Sequence, residues 1–297
     1  MKARVLAACL AVLSLAATPA FAQWESLGGA LGGGKSSGRN AQGTGKVAAR
    51  PVTDLSATLS PEHLGPFRAL VIGIDDYQSV PRLDNAVNDA SAVAQVLQQD
   101  YGFETTLVTD VGKSAMLSAI GDFISGSGPR DNLVIYYAGH GILDDNGSEG
   151  YWLPRDAQRN NSSGWIALAD ITAAMKDIPA RKVLVISDSC YSGTLTRTVS
   201  EGPMDFSVLT GQVKQRSRIA LTSGGLEPVS DAGGSGHSVF AQGLLDVLES
   251  HAKGPLDGTS LYRGVRDALA GRATQVPEYA DIPAAGHDGG DIILLRR

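Results

Sequence analysis

Apolar residues fall along this chain in two textures. The first is a short, nearly unbroken run. Residues 69–74, 133–137, 183–186 and 219–222 carry Ala, Leu, Val, Ile and Tyr with little polar interruption. Such runs read as strands buried on both faces, the signature of a mostly parallel sheet. The second texture is helical. Ala86, Ala90, Val93, Ala94 and Leu97 recur at helical spacing across 85–100, with Asp84 or Asn85 as the expected cap. Further helices are expected at 113–124, 167–177, 239–250 and 261–269, and short strands at 105–108 and 292–295. Alternation of strand and helix predicts an α/β domain: a mostly parallel central sheet with helices on both faces.

Residues 1–66 show neither texture. Lys2 and Arg4 precede an apolar stretch over 5–17, and Ala20-Phe21-Ala22 supplies a small-x-small cleavage site. That is the pattern of a secretory signal peptide over 1–22, too short in its apolar part to span a bilayer. Residues 23–66 are rich in Gly and then in Ser, Thr and Pro, as expected of a flexible linker. Within it, residues 29–36 satisfy G-x-x-x-x-G-K-[ST]. A phosphate loop needs a strand before it and a helix behind it, and neither flanks this segment. The folded domain is therefore expected over 67–297, in a protein secreted to a bacterial periplasm.

Charge excludes some partners. The net charge is −6, and loss of 1–22 removes Lys2 and Arg4 and no acid, leaving −8. With no run of Lys/Arg standing out, neither nucleic acid nor an anionic membrane surface is an expected partner. Of the 2 cysteines, Cys9 leaves with the signal, so Cys190 is the only thiol expected in the mature chain and no internal disulfide can form.

Parallel sheets carry their sites at the carboxyl ends of strands. One run ends in Ala138-Gly139-His140-Gly141, another in Ser187-Asp188-Ser189-Cys190, with Gly193 shortly after. Neutral His140 can take the thiol proton of Cys190, and the thiolate can attack an acyl carbon. The amides of Gly141 and Cys190 are the candidate donors to the oxyanion. A lone His or Cys at a strand end is more often structural, but two on separate strands of one sheet, each near glycine, favour chemistry. No metal is expected, since His63, His237, His251 and His287 are scattered.

The segments 136–141 (Tyr-Tyr-Ala-Gly-His-Gly) and 188–193 (Asp-Ser-Cys-Tyr-Ser-Gly) resemble the two signatures of caspase-like cysteine peptidases, nearest the metacaspase and bacterial caspase-like branch. His140 and Cys190 are about 50 residues apart, the caspase spacing. The resemblance runs over about 67–295 and takes in 72–77, 83–90, 220–224 and 237–240. It implies a caspase-like three-layer sandwich, a His140–Cys190 dyad and no cofactor, with a calcium requirement left open. It also implies a peptide or protein substrate cut after Arg or Lys, bound by Asp188, by Asp89 and by Asp231. Alternation puts Asp188 and Cys190 on one side of an extended segment. Asn85 departs from the family, which usually has Gly there. The acidic stretch from Asp144 fails as a calcium loop, with Glu149 at the sixth position and Arg155 at the twelfth. Two other functions stay open: a caspase-fold binding or scaffold protein without turnover, and another Cys–His acyl hydrolase such as an amidase. If the enzyme prefers basic residues, its own 193–219 connection is an expected target, after Arg197 or within the cluster Lys214, Arg216 and Arg218.

Overall fold

The computed structural model describes residues 59, 61–144, 146–189, 197–198, 214–224 and 236–297, all within the unit Pro51–Arg297. A short helix α1 (Pro61–Leu64) leads into β1 (Phe67–Gly73), α2 (Ala86–Tyr101), β2 (Glu104–Thr109), α3 (Lys113–Ser125) and β3 (Asn132–Ala138). Three short strands follow: β4 (Gly141–Leu143), β5 (Gly150–Trp152) and β6 (Ile166–Ala167). Then come α4 (Leu168–Asp177), β7 (Lys182–Asp188), β8 (Arg197–Thr198), β9 (Ser217–Thr222) and α5 (Val239–Ser250). The chain closes with β10 (Gly254–Asp257), α6 (Gly258–Leu269), β11 (Glu278–Asp281) and β12 (Ile293–Arg296).

The main sheet has the order β2-β1-β3-β7-β9-β11-β8. Its first five strands are parallel, and β11 and β8 join antiparallel at one edge. Alternation along each strand sorts the core into two layers. Val71, Val134, Tyr136, Leu184 and Ile186 pack with Ala90 and Val93 of α2 and Phe240 and Leu244 of α5. Leu70, Ile72, Leu133, Ile135, Tyr137 and Val185 pack on the other face with Met116 and Phe123 of α3 and Ile171 of α4. The expected sheet between two helical layers is present.

Several details differ from the pattern-based expectation. Strand β12, expected at 292–295, pairs antiparallel with β10 in a separate two-stranded sheet. Asn85 is the N-cap of α2 but makes no side-chain cap bond. Asp75, ten residues upstream, caps the helix instead, its carboxylate accepting from the Ala86 and Val87 amides at 2.8 and 3.1 Å. The last residues assigned to the linker also pack on the domain. Leu59 and Leu64 are buried, and Asn132 Nδ2 donates to the Leu64 carbonyl at 2.8 Å. What positions the site is register. β3 and β7 are neighbours with Asn132 opposite Lys182 and Ala138 opposite Asp188, so both end level at the same edge of the sheet.

Candidate active site

His140 stands two residues past the end of β3, partly exposed, and its backbone is held by two buried tyrosines. The His140 N–H donates to the Tyr77 hydroxyl at 2.7 Å, and the Tyr137 hydroxyl donates to the His140 carbonyl at 2.8 Å. The two hydroxyls are 3.4 Å apart, with Tyr77 as donor, since the single Tyr137 proton already serves the His140 carbonyl. The loop of hydrogen bonds closes around a single residue. Burial drives the Tyr77 phenol well above its ordinary range, so it stays protonated and able to play both parts. Gly139 is required by close approach, because a Cβ there would lie 2.6 Å from both hydroxyls.

The imidazole is oriented as well. His140 Nε2 lies 2.8 Å from the Pro81 carbonyl, and its ring packs against Tyr77 with centroids 4.7 Å apart. A carbonyl only accepts, so Nε2 carries the proton and Nδ1 is the basic nitrogen of the neutral ring. An imidazole held in this way can serve as a general base, with a main-chain carbonyl in the orienter's place.

Cys190 lies outside the described residues, as does Asp231. The segment that leads to the cysteine is described and is anchored from both sides. Trp152 Nε1 donates to Ser187 Oγ at 3.0 Å, and the Ser187 and Ser189 hydroxyls are 2.9 Å apart. Ser223 N–H donates to the Ser187 carbonyl, and Ser223 Oγ to the Ser189 carbonyl at 3.3 Å. Gly139 N–H reaches across to the Asp188 carbonyl at 3.3 Å, linking the two strand ends directly. Gly141 opens β4 beside them.

The structure brings Asp188 and Asp89 together at one serine. Asp188 is the last residue of β7 and 4% exposed; Asp89 is in the first turn of α2 and 1% exposed. Ser238, the N-cap of α5, touches both. Its N–H donates to Asp89 Oδ2 at 3.2 Å, and its hydroxyl donates to Asp188 Oδ2 at 2.6 Å while accepting from Ala241 N–H at 2.9 Å. His237 Nδ1 sits 2.6 Å from Asp89 Oδ1. Burial raises the Asp89 carboxyl above the usual range, and the hydrogen bonds from His237 and Ser238 draw it back. Burial and the charges of Asp188 and Asp89 together push the Tyr136 phenol far up, which places all three groups in one neighbourhood. Two acids this buried and this close are tolerated because the N-terminal end of α5 faces them.

Pattern reading missed Tyr77, Pro81, Tyr137 and Ser238 as contributors. A Ser directly before an apolar helical stretch is a cap signal and was legible in Ser238; nothing local marks Pro81, whose role depends on a fold that brings residue 81 to residue 140. One expectation is corrected. Arg216 and Arg218 are not accessible targets for self-cleavage, since Arg218 is fully buried and Arg216 Nη2 is held on the Lys176 and Ile178 carbonyls. Lys214 is exposed. Among the described residues no group of three or more His, Cys, Asp or Glu side chains converges as a metal site, and no helix is long and apolar enough to cross a membrane. Asp144 spends its carboxylate on its own turn, accepting from the Ser148 and Glu149 amides.

Residues 67–284 match the family described as caspase domain. The chain is similar to metacaspase-1 of Cryptococcus neoformans var. neoformans serotype D, strain B-3501A, at 28% identity over 83% of this chain and 61% of that protein. It is also similar to metacaspase-4 of Arabidopsis thaliana, at 28% identity over 45% of this chain and 35% of the plant protein. The chain thus spans about three fifths of the length of the first of these relatives. Among solved structures, protein GSU0716 from Geobacter sulfurreducens superimposes with a TM-score of 0.51 at 20% identity, over 72% of this chain and 92% of that one. That likeness concerns the fold.

Proposed function

The chain belongs to the caspase domain family, and on that premise we propose that it is an exported cysteine endopeptidase that cuts after Arg and Lys. His140 and Cys190 are its catalytic pair. The observation that carries the chemistry is the 2.8 Å approach of His140 Nε2 to the Pro81 carbonyl: with Nε2–H committed there, Nδ1 is the atom that takes the thiol proton. The Cys190 thiolate then attacks the scissile carbonyl carbon, and the amides of Gly141 and Cys190 stabilise the tetrahedral oxyanion. As the C–N bond breaks, the imidazolium returns its proton to the leaving amine. Water, deprotonated by the same nitrogen, hydrolyses the thioester and frees the thiol.

Specificity for a basic residue is supported by Asp89 and Asp188, two buried acids tied to one serine at the strand end next to the dyad. A guanidinium meeting such a pair gains charge-assisted, paired hydrogen bonds, and a lysine binds as a point charge and somewhat less well. Asp231 is proposed as a further acid of the same pocket. A fluorogenic panel with Arg, Lys, Asp and apolar residues before the scissile bond tests this. We expect Arg to be cut fastest, and Asp188→Asn to lower kcat/KM for the Arg peptide by at least about a hundredfold. The rate at which iodoacetamide labels Cys190 should change little in that variant. Faster cleavage after Asp would sink the pocket assignment, and a native thiol no faster than free cysteine would sink the dyad. Export is tested by N-terminal sequencing of the secreted chain, expected to begin at Gln23.

A further inference from the structure

At the opposite end of the sheet from His140, a cavity of about 100 Å³ opens between the starts of β3 and β7. Each of these strands has seven residues, so the cavity lies about 20 Å below the strand ends that carry the catalytic segments. It is lined by His63, Leu64, Arg130, Asn132, Arg181, Lys182 and Ile293. Four of the seven are basic, and none is an acid. They come from separate stretches of chain: His63 from α1, Arg130 from the approach to β3, Arg181 and Lys182 from the start of β7.

Arginines and a histidine on open surface would mean little. Lys182 is different, at 4% exposure on the first residue of a core strand. Burial costs a lysine its hydration, and Arg181 and Arg218 nearby add repulsion; Asp291 is the carboxylate whose charge opposes them. The balance leaves the ammonium with a pKa lowered to about 8, chiefly through burial. Two arginines and a buried lysine converging on one small cavity with no acid in its lining make a site whose charge an anion complements. The volume matches about three waters, the size class of a small tetrahedral oxyanion rather than a nucleotide.

We propose that this cavity binds a small inorganic oxyanion of the phosphate or sulfate class, held between His63, Arg130, Arg181 and Lys182. Bound there, the anion ties the entry segment at α1 to the bases of β3 and β7, the two strands whose far ends present His140 and lead to Cys190. Ligation at this site stabilises the folded state by mass action.

The test uses the full chain in a buffer free of oxyanions. Thermal unfolding is followed while sodium phosphate or sodium sulfate is titrated in, with sodium chloride as the control at matched ionic strength. We expect Tm to rise saturably, by several degrees, with phosphate and sulfate but not with chloride. Lys182→Met should abolish the rise. Arg130→Gln combined with Arg181→Gln, both at exposed positions, should reduce it at least tenfold in apparent affinity, which keeps the test decisive if Lys182→Met does not fold. An equal rise in chloride would reduce the effect to screening and overturn the proposal. A rise that survives in the variants would place the anion elsewhere and overturn it equally.

Discussion

Tyr77 is the residue on which the geometry of His140 turns. Its hydroxyl accepts the His140 N–H and reaches Tyr137, whose hydroxyl in turn holds the His140 carbonyl. Tyr77→Phe keeps the ring packing and removes only the oxygen, leaving a buried N–H unsatisfied. We expect about 1–3 kcal/mol of lost stability in denaturant unfolding, together with a lower kcat. An unchanged kcat would mean that the Pro81 contact alone holds the imidazole. Ser238 makes a second residue-scale case. Ser238→Ala removes the hydroxyl that serves Asp188 and the helix cap at once, so some stability falls, about 1 kcal/mol. Its diagnostic effect should be on KM for an Arg peptide, with kcat for a neutral peptide little changed and Ser238→Thr restoring both. Equal losses on the two substrates would assign Ser238 to the cap alone. Of these residues, His140 was legible in the sequence because glycines flank it at a strand end. Tyr77 and Pro81 were not, since their function is a contact across about sixty positions.

At the scale of elements, apolar texture sorted the chain well wherever burial is two-sided. The runs at 133–137, 183–186 and 219–222 sit inside β3, β7 and β9, and the helix expected at 239–250 is α5. Texture failed for β4, β5, β6, β10 and β11, which have two to four residues each and rest on antiparallel pairing rather than on apolar runs. It also misjudged Arg218, which looked like a basic loop residue and is a fully buried member of β9. Its guanidinium donates to five carbonyls, those of Met175, Ile178, Ala180, Arg181 and Ser217, and so closes the turn between α4 and β7. No other side chain offers that many donors in one plane. Arg218→Met should cost about 3–5 kcal/mol, read as a fall in the denaturant midpoint. Arg218→Lys should recover little of it, because an ammonium has three donors for five acceptors. Full recovery by lysine would show that charge rather than the fork matters.

For the molecule as a whole, stability should depend on pH in a way that Lys182 dictates. Its folded pKa is lowered to about 8 by burial, against 10.5 for the exposed group. Below pH 8 the lysine is charged in both the folded and unfolded states, and the folded state bears the full cost of burying it. Between pH 8 and 10.5 the folded protein has released this proton while the unfolded chain still binds it. The unfolded state then holds more protons, so stability contributed by this group rises with pH. The rise is about 2 kcal/mol between pH 8 and 10. The buried tyrosines push the other way only above their unfolded value near 10, where the unfolded chain begins to lose phenolic protons. Asp291, its pKa raised by burial to about 6, changes the balance at acid pH and is fully ionised across this window. The measurement is urea unfolding at several pH values from 7 to 10 in buffers without phosphate or sulfate, on wild type and Lys182→Met. We expect the difference between the two curves to shift by about 2 kcal/mol in favour of the wild type as pH climbs from 8 to 10. Parallel curves would mean that Lys182 keeps its ordinary pKa in the folded protein, and that the start of β7 is wetter than its burial implies.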